Sequence, residues 1–191
     1  MIRSPSLSTR SYVLIGVAII AATALTLLAL GQPPICTCGV VRLWQGDVMG
    51  PENSQQLSDW YTPSHFIHGI LFYALMWLLF RRQPIGFRAV GALVIESAWE
   101  ILENTPLIID RYREVTIALG YRGDSVINSV SDILFMLLGF VVARKLPVAV
   151  SVILALLLEI AVGVAIRDNL TLNVIMLLYP LDSIRAWQAG G

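Results

Sequence analysis

His65 and His68 are the only histidines in the chain, and they stand three residues apart at the start of an apolar run. Further on, Glu96, Glu100 and Glu103 recur at helical spacing. At about 100° per residue they fall within about 60° of one another on one face. A third set, Asp124, Asn128, Ser131 and Asp132, makes a polar stripe about two turns deep at the head of another apolar run. Imidazoles with carboxylates suit zinc, manganese or iron by ligand type. Crowded carboxylates under an apolar roof also suit acid–base work. The spacing alone does not choose between these: His-x-x-His on a helix is an awkward chelate, and neither HExxH nor a paired ExxH is present. Arg111, Arg113 and Arg122 lie close by in sequence and could grip a phosphate or another anion.

These residues must be positioned by helices in a membrane. Of 191 residues, 57% are hydrophobic and 14% charged, against about 45–50% and 25% in soluble domains. That excludes a soluble globule and a disordered chain. Thirteen Lys and Arg balance thirteen Asp and Glu, so the basic excess of a nucleic-acid binder is missing. Apolar runs of about 20 residues can cross the hydrocarbon. The expectation is an all-α, polytopic membrane helix bundle forming one domain over 1–191, with five spans at 12–30, 63–80, 87–104, 124–143 and 147–166. The first resembles a signal peptide, but its length and the lack of an A-x-A site favour a retained anchor. The apolar segment 170–181 is too short to cross and is expected to be re-entrant or interfacial.

Basic residues set the expected orientation. The hairpin loops 81–88 and 144–146 carry only positive charge, which puts the N-terminus in the cytoplasm and loops 31–62 and 105–123 outside. Trp44, Trp60, Tyr61, Tyr112 and Tyr121 then fit an outer interfacial belt. With this topology the two histidines, Glu100, Glu103, Asp124 and Asn128 gather in the outer turns of their helices, with Glu96, Asp132 and Glu159 somewhat deeper. An acid at a helix centre costs about 2.5–3.5 kcal/mol on insertion scales, so such residues face a protein interior or water. His68, the deeper imidazole, is the better ligand candidate; His65 is expected to bond a loop carbonyl. Cys36-Thr-Cys38 is the only cysteine pair. An intrachain bridge over one residue is expected to be strained, which leaves pairing between chains, metal binding or redox exchange.

The strings Ile35-Cys-Thr-Cys-Gly39, Ser58-Asp-Trp-Tyr-Thr-Pro-Ser-His65-Phe-Ile-His-Gly69, Ala98-Trp-Glu-Ile-Leu-Glu-Asn-Thr-Pro106 and Tyr121-Arg-Gly-Asp-Ser-Val-Ile-Asn-Ser-Val-Ser-Asp132 resemble an uncharacterised family of alphaproteobacterial multi-pass inner-membrane proteins. The resemblance covers about residues 35–145 and implies a location, the bacterial inner membrane, without an activity. More loosely, the order of His68, Glu100, Asn128 and Asp132 is similar to VanZ-like envelope proteins linked to glycopeptide tolerance. The extra histidine, the extra glutamates and the Cys-Thr-Cys loop depart from that pattern.

The functional expectation is an enzyme site at the outer interface that acts on membrane lipids or a lipid-linked anionic substrate. His68, Glu100, Asp124 and Asp132 are the expected catalytic groups, and Arg122, Asn128 and Glu103 the substrate-binding ones. A divalent transition metal would fall to His65, His68 and Glu100. Two other readings compete. In one, the polar layer is helix glue in an assembly factor or accessory subunit of an envelope complex. In the other, Glu96, Asp132 and Glu159 carry protons or ions.

Overall fold

A computed structural model describes residues 7–190 of the chain. It is all helical, with no strand among the described residues. Five long helices follow the apolar runs: α1 (Thr9–Ala29), α2 (Thr62–Phe80), α3 (Ile85–Glu103), α5 (Val126–Lys145) and α6 (Val148–Ile166). Three short ones complete the chain: α4 (Pro106–Val115), α7 (Leu170–Leu178) and α8 (Asp182–Gln188). Four of the long helices, α1, α2, α5 and α6, are long and apolar enough to cross a membrane. α3 matches them in length but carries Arg88, Glu96, Glu100 and Glu103. It lies among α1, α2 and α5, where its polar stripe faces protein. The fold is a membrane helix bundle.

The bundle is built around the α2–α5 crossing, which two glycines bring backbone to backbone. A Cβ added to Gly69 would collide with the Met136 carbonyl, and one added to Gly139 would collide with the Phe66 carbonyl. Only a residue without a side chain lets membrane helices approach this closely. Beside the crossing, Met76, Ala92, Leu93, Ile133, Met136 and Phe140 form the buried apolar core. Leu14, Leu25, Val164 and Leu156, on the peripheral helices α1 and α6, stay exposed, as lipid-facing side chains should.

The expected loop 105–123 contains α4, a correction to the sequence reading. Pro106 starts it: the ring supplies helical φ at the first turn and holds Thr105 extended, so α3 stops and the chain turns. The loop 31–61 folds over one end of the bundle. The Pro33 and Pro34 carbonyls accept from the N–H groups of Val126 and Ile127 at 2.9 and 3.2 Å, and the Ser125 hydroxyl accepts from the Asn128 N–H at 3.3 Å. The free N–H groups that open α5 are thereby satisfied. Within this loop Cys36 and Cys38 form an intrachain disulfide, which corrects the expectation that they pair between chains, bind metal or exchange. A turn closed by the Gly39 N–H on the Cys36 carbonyl at 2.9 Å, with Gly39 at φ 77°, sets the two Cα atoms 5.2 Å apart. That lies inside the ordinary range for a bridge.

The segment after α6 is also more ordered than its length implied. Glu159 takes the N–H groups of Leu170 and Thr171 at 3.1 and 3.0 Å, and Asn169 caps Leu172 at 2.9 Å. Glu159, read in the sequence as an ion-carrier residue, is thus bonded to the N-terminus of α7. Arg111 on α4 reaches the Leu177 carbonyl at 3.1 Å and ties α4 to α7.

Candidate functional site

At the end of the bundle where α2 and α5 begin and α3 finishes, the helices, the folded loop and α4 and α7 enclose a cavity of about 270 Å³. α2 contributes Ser64, His65, His68 and Phe72; α3 contributes Ile95, Trp99 and Glu103; α5 contributes Asn128 and Asp132. Asp59, Tyr61, Tyr112 and Tyr121 enter from the loop and from α4 and its exit, and Asn173, Val174 and Leu177 from α7. One side is therefore carboxylate, imidazole and phenol, and the other aliphatic and aromatic.

Glu96 joins the two imidazoles. Its carboxylate, fully buried, lies 2.8 Å from His65 Nδ1 and 3.0 Å from His68 Nδ1. An ionised carboxylate only accepts, so both rings present Nδ1–H to it, which fixes their tautomer and tilt. His65 Nε2 then faces Asp132 Oδ2 at 3.8 Å, and His68 stacks on Phe72 with ring centres 5.5 Å apart. The expectation for His65 is corrected here: it is the more buried of the two and bonds a carboxylate instead of a loop carbonyl. The loop is still one helical turn away, and only the antiparallel placement of α3 brings Glu96 to it.

Glu100 is different. It is 0% exposed, yet neither of its carboxylate oxygens has a hydrogen-bond partner. His65 Nδ1, an atom already shared with Glu96, lies 3.4 Å from its Oε1. A buried carboxylate without partners is costly. Glu100 lies behind the cavity wall, whereas Glu103, one turn on, is in it.

Other polar residues at this end are bonded to the protein itself. Both oxygens of Asp124 are used, Oδ2 by Asn104 Nδ2 and Oδ1 by the Tyr121 hydroxyl, each at 2.9 Å. Asn128 donates to the Gln56 carbonyl at 2.8 Å, Ser131 donates to the Leu57 carbonyl, and Gln55 donates to the Gly123 carbonyl at 2.8 Å. These bonds hold the loop on the helix ends. Asn104 and Gln56, both buried, are the residues the sequence reading passed over. Asn104 before Thr-Pro reads only as a helix end, and Gln56 has no local signal at all.

Arg122 is exposed and is not part of the cavity wall, and neither are Arg111 and Arg113. Arg113 instead donates to the Tyr121 carbonyl. Among the described residues no Lys or Arg lines the cavity, so they offer an anion no guanidinium there. The expected aromatic belt is also revised. Trp44 is exposed, but Tyr61, Tyr112 and Tyr121 turn inward to the cavity. Burial first, and then the charges of Asp168, Glu103 and Asp124 respectively, hold these phenols well above their ordinary range. They stay protonated O–H donors at neutral pH.

Behind Tyr61 lies Asp168, fully buried. It accepts from Tyr61, Asn173 and Gln188 at 3.1, 2.7 and 3.1 Å. Burial raises its carboxyl from 3.8 to about 6, with the Asn169 N–H and the Tyr61 and Asn173 bonds partly opposing. The folded chain thus holds this proton more tightly than the unfolded chain. Its ionised form is penalised by about 3 kcal/mol above pH 6, and the penalty fades as pH falls from about 6 to 4. In detergent, the thermal midpoint of the wild type relative to Asp168→Asn should therefore rise as pH drops from 7.5 to 5. A flat difference across that range would show that Asp168 titrates normally.

The chain matches, over residues 27–190, a family described as "Protein of unknown function (DUF2585)". It is similar to a UPF0314 protein of Rhizobium etli, 56% identical over 91% of this chain and 89% of the relative. A UPF0314 protein of Sinorhizobium fredii is 54% identical over 96% and 93%, and one of Paracoccus denitrificans 56% over 90% and 89%. No solved structure matches. None of these matches carries the looser likeness to VanZ-like proteins.

Proposed function

Given that the chain belongs to the DUF2585 family, whose function is unknown, we propose from the chemistry of its own cavity that it is a membrane-embedded enzyme acting on the headgroup of an envelope lipid or lipid-linked substrate. The observation that carries this reading is Glu100, buried with both oxygens unpartnered beside His65. Helix glue predicts the opposite, a polar layer whose members satisfy one another. That description fits Asp124, Asn128 and Asn104 and leaves out Glu100.

In this reading the headgroup enters the polar side of the cavity, and its tail lies along Phe72, Ile95, Val174 and Leu177. His68, its ring held by Glu96, is the proton-transfer group, oriented as a base is by a second carboxylate. Asp132 and Glu103 supply carboxylates in the wall, and the hydroxyls of Tyr61 and Tyr121, which donate to Asp168 and Asp124, offer the headgroup their oxygen lone pairs. Asp124 and Asn128 act as positioning residues. The cavity end is assigned to the outer face of the bacterial inner membrane and the N-terminus to the cytoplasm, on the basic loops 81–88 and 144–146.

The test is mass spectrometry of envelope lipids from a host lacking the gene, complemented with the wild type, His68→Ala or Asp132→Asn. Both variants should accumulate in the membrane at the wild-type level and leave the lipid profile of the deletion. Complementation by both variants, or a deletion with an unchanged lipid profile, would end the enzyme reading. Loss of both variants from the membrane would favour the accessory role instead.

A further inference from the structure

The cavity wall holds imidazoles and carboxylates with no Lys or Arg among the described residues to balance them, and ligand atoms gather where its two imidazoles meet the buried Glu96 behind it. His65, His68 and Glu96 each offer one, all within 4.8 Å of one another. Both Nδ1 atoms approach the same Glu96 carboxylate, at 2.8 and 3.0 Å, and an ion taken up there releases to solvent the two Nδ1 protons they otherwise donate to it. Bonds of about 2.0–2.2 Å to nitrogen and oxygen separate two ligands of one tetrahedral ion by about 3.3–3.6 Å, so small adjustments would seat an ion among these three.

A second, independent observation points the same way. Glu100, completely buried, keeps both oxygens unpartnered, with Oε1 3.4 Å from the very His65 Nδ1 that would bind the ion. A positive charge at this point gives that carboxylate a fixed counter-charge.

We propose that His65, His68 and Glu96 bind a divalent transition-metal ion, with Glu100 as the adjacent buried counter-charge. Two imidazoles and one carboxylate are a borderline-soft donor set that suits zinc, iron(II) or manganese over magnesium or calcium. Three protein ligands leave a coordination position open. Since His65 and His68 are both in the cavity wall, that position is reached from the cavity. This deepens the enzyme reading and rests on it for its purpose: with the ion in place His68 serves as a ligand, proton transfer falls to the wall carboxylates Asp132 and Glu103, and the acidic cavity takes an anionic headgroup without Arg122. Binding itself can be measured in the absence of any substrate.

The full chain, purified in mild detergent and stripped with chelator, is titrated separately with zinc, manganese, iron(II), magnesium and calcium, and bound metal is counted by elemental analysis. Wild type should bind about one transition-metal ion per chain. Glu96→Gln and His68→Gln should lose it, and Glu100→Gln should bind about tenfold or more weakly, the size of effect seen when a supporting carboxylate is removed. Asp110→Asn, an exposed carboxylate on α4, should bind as wild type does. Cobalt(II) added to wild type should give visible ligand-field bands that Glu96→Gln lacks. Helicity and elution volume identify variants that misfold, and if Glu96→Gln is one of them, His68→Gln and Glu100→Gln decide. Wild type that binds none of the transition metals, or binds magnesium or calcium equally well, overturns the proposal. So do folded variants that bind like wild type. A wild type that restores the lipid profile but binds no metal ends this inference and leaves the enzyme reading standing. Metal bound by a chain whose deletion changes no lipid does the reverse.

Discussion

Gly139→Val should unfold the bundle, or leave it helical with the site dismantled. The added side chain would have to occupy the space of the Phe66 carbonyl, and the mirror change Gly69→Val that of the Met136 carbonyl. Backbone cannot step aside as a flexible side chain does, so the cost should exceed the about 1–3 kcal/mol typical of overpacking. The effect should extend beyond stability. Phe66 and Gly69 flank His65 and His68 on α2, and Met136 lies one turn below Asp132 on α5. Forcing the two helices apart widens the 3.8 Å between His65 Nε2 and Asp132. Even Gly139→Ala should lower the thermal midpoint in detergent clearly, because the first added atom, Cβ, already collides. A midpoint for Gly139→Ala within error of wild type would mean that the crossing is looser than described. The neighbouring exposed change Leu138→Ala, on the outer side of α5, serves as the control and should cost little.

Asn104→Ala should come second in size. This one side chain donates to the Glu100 carbonyl and to Asp124 Oδ2, both at 2.9 Å, and accepts the Asp124 N–H at 2.6 Å. It clamps the end of α3, which carries Glu100 and Glu103, to the start of α5. Its loss leaves a buried carboxylate with one partner fewer, a change of about 3 kcal/mol. Asn104→Asp makes the reason testable. It places a second carboxylate beside that of Asp124, and two such groups share a site only when one is protonated. The folded state of this variant would bind the extra proton, so its stability should be poorest at neutral pH and recover as pH falls toward 5. Asn104→Ala should show no such recovery. Thermal midpoints of both variants from pH 5 to 8, measured against wild type, check it: parallel curves would remove the carboxylate argument.

The two variants separate what was legible from what was not. The long helices could be read because hydropathy is summed along the chain, and an apolar run of about 20 residues means the same thing in any neighbourhood. α4 escaped because Asp110, Arg111, Arg113 and Glu114 give ten residues the look of a solvated turn. The shared depth of His65, His68, Glu96 and Asp132 was also accessible, since helix direction and position along the helix are enough to assign it.

The roles within that layer were not accessible. Asp124 and Asp132 sit eight residues apart on one stripe and look alike in the sequence. The structure bonds the first to Asn104 and Tyr121 and leaves the second with only the Thr62 hydroxyl at 3.4 Å and an imidazole at 3.8 Å. Glu159 and Glu100 both read as costly intramembrane acids; one takes two N–H groups of α7, and the other takes none. Arg122, plausible beside the site in sequence, projects away from it, while three tyrosines assigned to the lipid interface point in. From the chain alone come the all-helical membrane architecture, its long helices and the crowding of acids and histidines at one end. Only the tertiary structure decides which of those acids is satisfied, because their partners lie on other elements, the His65 and His68 rings for Glu96 and the Asn104 amide for Asp124, and no local pattern encodes a hydrogen bond across that separation.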